Sequence, residues 1–260
     1  MKWENLTSAE VGAVDRKTVV VLSIAAIEQH GPHLAVSTDA VIGGYLLDRL
    51  DEAVGDDILI LPQIKVCCSE HHMDFAGTLS VSHETFLAYA GDMLTSVMRQ
   101  GFRNIVILNS HGGNQAVGQV LVEKLGARHP DCRIAFMTWW QLAAPALRTI
   151  RESAFGGINH ACEFETSLML HTAPQAVRPD LITGMSRAPT FDWAEGDMLT
   201  GARGLIYRSM AEKSGGTGTV GDPSLGTAEK GQRIVDAVVA ALTEVVTSLK
   251  AAPAKSGRNG

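Results

Sequence analysis

An α/β fold, with a parallel sheet covered by helices on both faces, is what this sequence predicts, on three observations. Four short aliphatic runs, at residues 18–27, 58–66, 105–108 and 134–137, alternate with segments of helical periodicity. The first of them, TVVVLSIAAI, is apolar nearly throughout, which is the form of a strand buried on both faces rather than on one. The segments between the runs are long enough for the crossover helices that parallel strands need.

Each element has its own warrant. After the first run comes a polar loop containing glycine, then a helical pattern with Ile42, Tyr45, Leu46, Arg49 and Leu50 at three- and four-residue spacing. Ser82 is a helix-starting residue, followed by the apolar face Phe86, Ala90, Met93, Leu94, Val97 and Met98 and stopped by Gly101. A further helix is expected over 114–128, and a short amphipathic one over 160–171. Residues 172–227 are rich in Gly and Pro without a long periodic stretch, and a segment of that kind inside a compact domain is usually functional. The last helix is the clearest, because Ile234, Val235, Val238, Val239, Leu242, Val245, Val246 and Leu249 form one apolar stripe. No repeat and no interdomain linker is visible. The expectation is one domain over 1–250 and a frayed tail over 251–260.

Composition narrows the function classes. Of 260 residues 45% are hydrophobic and 19% charged, a globular balance. The net charge of −6 lacks the basic footprint of a binder of nucleic acid or anionic membrane. The longest apolar run is about half of what a bilayer requires. The first ten residues carry Glu4 and Glu10 and no apolar core, so a cytoplasmic location is expected. Cysteines at 67, 68, 132 and 162 form no CxxC pair, and four reduced thiols are expected, with Cys162 set apart by its position among candidate site residues.

In open α/β sheets ligands bind at the carboxyl ends of strands, so the loops there carry the chemistry. After the first strand stand Glu28-Gln29-His30-Gly31-Pro32-His33 and then Asp39. After the third stand Asn109-Ser110-His111-Gly112-Gly113-Asn114, and later His160-Ala161-Cys162-Glu163-Phe164-Glu165. Glu, His and Asp together are the ligand set of a hydrolytic zinc, manganese or iron site. Each island also has a plainer reading. Asp39 can be a helix N-cap, the glycine turn an anion cradle at a helix N-terminus, and His160 with Glu163 a surface pair three residues apart. The glycine turn lacks a Walker lysine and a full GxGxxG, and no GxSxG elbow supports a serine hydrolase.

Read together, the islands resemble the creatininase (creatinine amidohydrolase) family. The resemblance rests on Glu-Gln-His-Gly-Pro-His-Leu followed by Thr-Asp, on Asn-Ser-His-Gly-Gly-Asn, and on His-Ala-x-Glu-x-Glu-Thr-Ser. The segment HMDFAGTLS from His72, with Ala76 at the usual proline, and Gly221-Asp222-Pro223 followed by Thr227 agree with it. It implies a three-layer αβα sandwich with a mostly parallel sheet, and a homo-oligomer, in the family a hexamer. It also implies two divalent metal ions as cofactors, zinc, manganese or iron. Carried over by position, Glu28, His30, Asp39 and His111 match metal ligands, with Asp39 bridging. The chain has Gly113 where creatininase has a ligand glutamate, so Glu163 is expected to supply the missing carboxylate and to act in catalysis. His160 matches a proton-shuttling residue, with the ordinary imidazole pKa suiting that task. Trp140 and His72 are expected at the substrate, Trp140 matching one of two active-site tryptophans and Gly156 standing at the other. Gln29 and Glu165 are expected to orient ligands.

The expected activity is hydrolysis of a C–N amide bond in a small molecule, a lactam or formamide, by a metal-activated hydroxide. True creatininase activity is not expected, given Gly113 and Gly156. Within the family the alternatives are a precursor-peptide peptidase and a hydrolase of carbon–carbon bonds in oxidised inositols. Outside it the alternative is a non-catalytic α/β domain binding a nucleotide or sugar phosphate.

Overall fold

The computed structural model describes residues 1–255. Capped by Thr7, α1 (Ser8–Ala13) leads into β1 (Val19–Ile24), and α2 (Thr38–Val54) carries the chain to β2 (Ile58–Ile60). Next come α3 (His83–Arg99), β3 (Asn104–Asn109), α4 (Gln115–Arg128) and β4 (Arg133–Thr138). The remainder holds α5 (Trp139–Leu142), α6 (Ala144–Ile150), β5 (Ile158–His160), α7 (Glu163–Thr172), α8 (Met210–Ser214), β6 (Val220–Gly221) and α9 (Ala228–Ala251).

The four expected strands form one parallel sheet in the order β2-β1-β3-β4, and β5 pairs antiparallel with β6 in a small second sheet. Side chains alternate across the large sheet and feed two separate cores, which is how a central strand buries both faces. Val19, Val21, Val106 and Leu108 point to one face, against Ile42 and Leu46 of α2, Leu168 of α7 and Ile234 and Val238 of α9. Val20, Leu22, Ile105 and Ile107 point to the other, against Phe86 and Leu94 of α3 and Val117 and Leu121 of α4. The result is the three-layer αβα sandwich, each large buried aliphatic contributing about 1.5–3 kcal/mol.

Local signals work where they were expected. Ser82 Oγ accepts the Thr85 N–H at 3.1 Å to open α3, and Gly101, at φ 97°, takes the left-handed turn after it. One expected element is redistributed. The helix read over 160–171 starts only at Glu163, and His160 ends strand β5 instead. Its pairing with Val220 holds it extended, so His160 and Glu163 do not share a helix face. Of the tail expected over 251–260, α9 still includes Ala251, and residues 256–260 lie outside the described residues. No helix among the described residues is long and apolar enough to cross a membrane.

From β1 the chain moves outward to β2 and then crosses back to β3 on the other side of β1. The strand order therefore reverses between β1 and β3. At that switch point the loops after the two strands open a crevice, where ligands of such sheets bind.

Candidate metal centre

Three pieces of backbone bring the side chains to the crevice. After β1 the chain doubles back, with Glu28 N–H donating to the Val36 carbonyl at 2.9 Å and His30 bridged to Leu34. Gly31 turns this loop at φ 63°, and a Cβ there would collide with the Thr219 hydroxyl. The return sets Asp39 in the first turn of α2. After β3, Asn109 clamps the next loop by accepting the His111 N–H at 3.1 Å and donating to the His111 carbonyl at 2.8 Å. After β5, Ala161 is buried in a left-handed conformation at φ 49°, a strain of about 1–2 kcal/mol in a non-glycine residue. That kink starts α7 at an angle that brings Glu165 to the cluster.

The side chains meet in three overlapping groups of possible ligands, Glu28 with Asp39 and His111, Glu28 with His72 and His160, and His30 with His160 and Glu165, which make two neighbourhoods, one around His111 and one around His30. Asp39 belongs to both neighbourhoods, its Oδ1 lying 3.2 Å from His30 Nε2 and its Oδ2 3.2 Å from His111 Nδ1. Glu28 Oε1 is 3.1 Å from His111 Nδ1 and 3.8 Å from His160 Nδ1, and Glu165 Oε1 is 3.9 Å from His30 Nε2. Three imidazoles are anchored in the same way. His30 Nδ1 donates to the Glu28 carbonyl at 3.1 Å, and His111 Nε2 to that of Cys68 at 3.0 Å. His160 Nε2 donates to the Gln29 carbonyl at 2.8 Å. A proton fixed on one nitrogen leaves a lone pair on the other, and in each ring that second nitrogen faces the carboxylates.

This donor set fits divalent cations. Glu28 Oε2, His30 Nε2, Asp39 Oδ2 and Glu165 Oε2 are buried without a hydrogen-bond partner. Buried polar atoms are normally paired, and four orphans aimed at one space are what cations would satisfy.

The charges of the cluster act strongly on one another. Burial alone would depress the His30 imidazolium, but Asp39, Glu165 and Glu28 reverse this and raise its pKa to about 9. His111 is likewise raised well above its usual value against the pull of burial, chiefly by Glu28 and Asp39. Despite burial, the same two histidines lower Asp39. Glu165 is pushed up to about 7, first by burial and then, against the pull of His30, by Asp39 and Glu28. His160 goes the other way. Burial and the neighbouring His30 hold it well below the ordinary imidazole value that the sequence suggested, so it is neutral.

Glu28, His30, Asp39, His111 and His160 thus come together, and Glu163 does not join them. Its carboxylate is fully used elsewhere, with Oε1 accepting from Lys230 Nζ at 2.6 Å and the Glu152 N–H at 2.9 Å, and Oε2 accepting the Ser153 N–H at 2.9 Å. Two residues on, Glu165 turns toward the cluster instead, its Oε1 3.9 Å from His30 Nε2. One signal for it was available in the sequence, since consecutive odd positions of a helix start diverge by about 200° and only one of the two can face a given point. Gly113 has a reason as well: a Cβ there would strike His111 Nε2 and the Cys68 carbonyl and lie 2.8 Å from His71 Cε1. His71 therefore sits where a side chain at position 113 would reach.

Trp140 is buried at the cavity wall, edge-on to Trp139 with ring centroids 5.3 Å apart. At Gly156 a Cβ would collide with the Arg187 guanidinium, so arginine occupies that side of the wall. The expected substrate contact at His72 is modified, because both of its ring nitrogens have protein neighbours. Gln29 Nε2 donates to His72 Nδ1 at 3.0 Å, and His72 Nε2 lies 3.4 Å from Glu28 Oε1, so the ring steadies Glu28. Gln29 is itself fixed by accepting the Gly31 N–H at 2.9 Å. All four cysteines are free and buried, and burial raises the Cys162 thiol well above its usual pKa, so it is packing rather than thiolate. Above the cluster opens a cavity of about 1240 Å³, with Glu28, Asp39, His111, His160 and Glu165 at its base.

Fold and cluster define the class: an α/β sandwich with buried carboxylates and imidazoles, suited to divalent cations, at its switch point. A family model described as creatininase, creatinine amidohydrolase, matches residues 4–246, and the chain belongs to that family. Among relatives, a mycofactocin precursor peptide peptidase of Mycobacterium tuberculosis is 30% identical over 228 residues, 85% of this chain and 81% of that protein. The creatinine amidohydrolase of Pseudomonas putida is 24% identical, covering 95% of this chain and 94% of the relative. A crystal structure of creatininase superimposes with a TM-score of 0.79 at 22% identity, over 97% of this chain and 98% of that one. Related creatininase structures are described as Zn–Zn and Mn forms.

Proposed function

We propose that this chain is a metal-dependent amidohydrolase that cleaves a C–N amide bond of a small molecule, a lactam or a formamide. One observation carries the reading: three histidines are each anchored through one nitrogen to a backbone carbonyl while the other faces Glu28, Asp39 or Glu165, and each of those carboxylates keeps one buried oxygen without a hydrogen-bond partner. In this reading Glu28, Asp39 and His111 hold one divalent cation, and His30, Asp39 and Glu165 hold the second. Two such cations would polarise the amide carbonyl and lower the pKa of water toward about 7.

The protein's own part is to hold and move a proton. His160 is neutral and keeps its Nε2 proton on the Gln29 carbonyl, which leaves Nδ1 to act. As water adds to the amide carbon, Nδ1 accepts a proton from it. It returns that proton to the departing nitrogen when the C–N bond breaks. His72 steadies Glu28 and the Gln29 carbonyl holds His160, and Trp140 offers an apolar wall to the substrate.

A peptide substrate is the second reading, favoured by the size of the cavity and by the peptidase relative. The test is to strip the protein with a chelator, reload it with zinc, manganese or ferrous iron, and assay lactams, formamides and short peptides. Turnover should vanish on stripping and return with about two equivalents of cation. Full turnover in the stripped protein would reject the reading.

A further inference from the structure

We infer that Lys213, with Arg208, forms an oxyanion subsite in the wall of the cavity, so that the hydrolysed amide belongs to a molecule bearing a carboxylate or phosphate. The chemistry rests on the hydrolase reading above, whereas the subsite is a binding claim that is tested separately.

Helix α8 carries Lys213 and is held firmly for so short an element. A capping box closes its start, with Ser209 N–H donating to Glu212 Oε2 at 2.8 Å, and Gly215 ends it at φ 63°. The Lys213 carbonyl accepts the Ala188 N–H at 2.8 Å, and Ser214 Oγ accepts the Gly218 N–H at 2.9 Å. The helix packs against residues Glu70–His72, so its lysine lines the same cavity as His71, Glu28 and the cluster.

The other charged groups of the wall are accounted for. Arg187 pairs with Glu195 at 2.5 Å and lies over the Phe155 ring, and Asp197 pairs with Arg151 at 2.9 Å. Glu70 and Glu84 stand exposed at the rim. The ion pairs among the described residues engage Lys2, Lys230 and Lys250 but not Lys213. Arg208 donates through Nη2 to the Glu212 carbonyl at 2.7 Å and meets no carboxylate within ion-pair distance among the described residues.

A half-buried ammonium without a counter-ion costs stability, and burial together with the nearby Arg208 does lower the Lys213 pKa, opposed by Glu28. The cluster cannot neutralise it once loaded. In the reading above, two divalent cations would offset the charge of Glu28, Asp39 and Glu165, leaving the positive charges of Lys213 and Arg208 without a counter-charge on the cavity floor. An anionic group on the ligand supplies the counter-charge that the described residues do not. A compact ammonium beside a guanidinium fork is a donor pair suited to an oxyanion.

The binding test uses the full chain reloaded with zinc, titrated by calorimetry with inorganic phosphate and with acetate. The Kd for either anion should rise about tenfold or more in Lys213→Met and recover in Lys213→Arg, as expected for a charge-assisted hydrogen bond. Unchanged affinity in Lys213→Met would overturn the subsite, because the anion would then sit on the cations alone. Should Lys213→Met fail to take up zinc, Arg208→Gln carries the same comparison. The substrate test pairs an N-formyl amino acid with its carboxamide, and a formamido sugar phosphate with its unphosphorylated form. One pair should show an anionic preference in kcat/KM of about tenfold or more that collapses in Lys213→Met, and which pair does so separates carboxylate from phosphate. No preference in either pair would overturn the substrate class. A lysine-dependent Kd with no amide turned over would reject the hydrolase reading and leave the subsite standing.

Discussion

Helix α7 begins with two buried glutamates that face different worlds. Glu163 is satisfied, its oxygens shared by Lys230 and two backbone N–H groups, with Lys230 also reaching Glu152 and the Leu225 carbonyl. Glu165 keeps a buried oxygen with no partner and looks at His30. The contrast separates structural from functional burial: a carboxylate with both oxygens engaged ties α7 to α9, whereas one with an oxygen left open suits a ligand from outside the chain. Hydrogen bonding also explains their opposite titration. Lys230 and the two N–H groups lower the Glu163 pKa in spite of burial, while burial and neighbouring carboxylates raise that of Glu165 to about 7.

The comparison is broken hardest at Asp39, the carboxylate that reaches both halves of the cluster. Asp39→Asn should cut turnover by well over about 100-fold, more than the 10–100-fold typical of residues that only orient a ligand. Metal analysis should find fewer than two equivalents, and an active variant with a full complement would refute the bridging role. On the structural side, Glu163→Ala leaves Lys230 buried without its main partner. It should lower stability by about 3–5 kcal/mol, read as a fall in melting temperature on the order of 10 °C. A small change would mean that the clamp does not matter. A gentler probe is Gln29→Leu, which removes the amide that sets the His72 tautomer and should lower activity about tenfold while the fold persists.

Protons sharpen the picture further. His30 is raised to about 9 in the cation-free protein, so its pairing with Asp39 stabilises the fold fully below about 6.5 and is lost as pH climbs through 9. Cations must displace that proton, so uptake should release protons near neutral pH and tighten as pH rises toward 9. Calorimetry of zinc binding in two buffers of different ionisation enthalpy measures the release, and buffer-independent heats would contradict it. Glu163 has the opposite sign. Its lowered pKa gives stability that is present above about 4.5 and lost on acidification.

Much of this was legible in the sequence, for physical reasons that differ by element. The apolar run of β1, broken only by Ser23, announced a strand buried on both faces, and the polar islands after β1 and β3 could lie only at the strand ends. The His160 region misled because its periodicity suits a helix, whereas pairing with β6, distant in sequence, and the left-handed Ala161 set the start of α7 three residues later. The expectation for Glu163 came instead from the resemblance, which placed the carboxylate missing at Gly113 there. Lys230, the partner that occupies Glu163, is 67 residues away, and nothing local in the sequence marks such a contact. Lys213 escaped notice for the same reason. Its meaning depends on which carboxylates do not approach it, and only the folded chain displays that.

The central claim is that Glu165, and not Glu163, completes the second cation site. It is tested most directly by counting metal in Glu165→Gln and Glu163→Gln side by side, after reloading each with zinc and removing the excess. The account predicts about one equivalent in the Glu165 variant and about two in the Glu163 variant, set by the number of sites with a full ligand set. Two equivalents in Glu165→Gln, or one in Glu163→Gln, would contradict it.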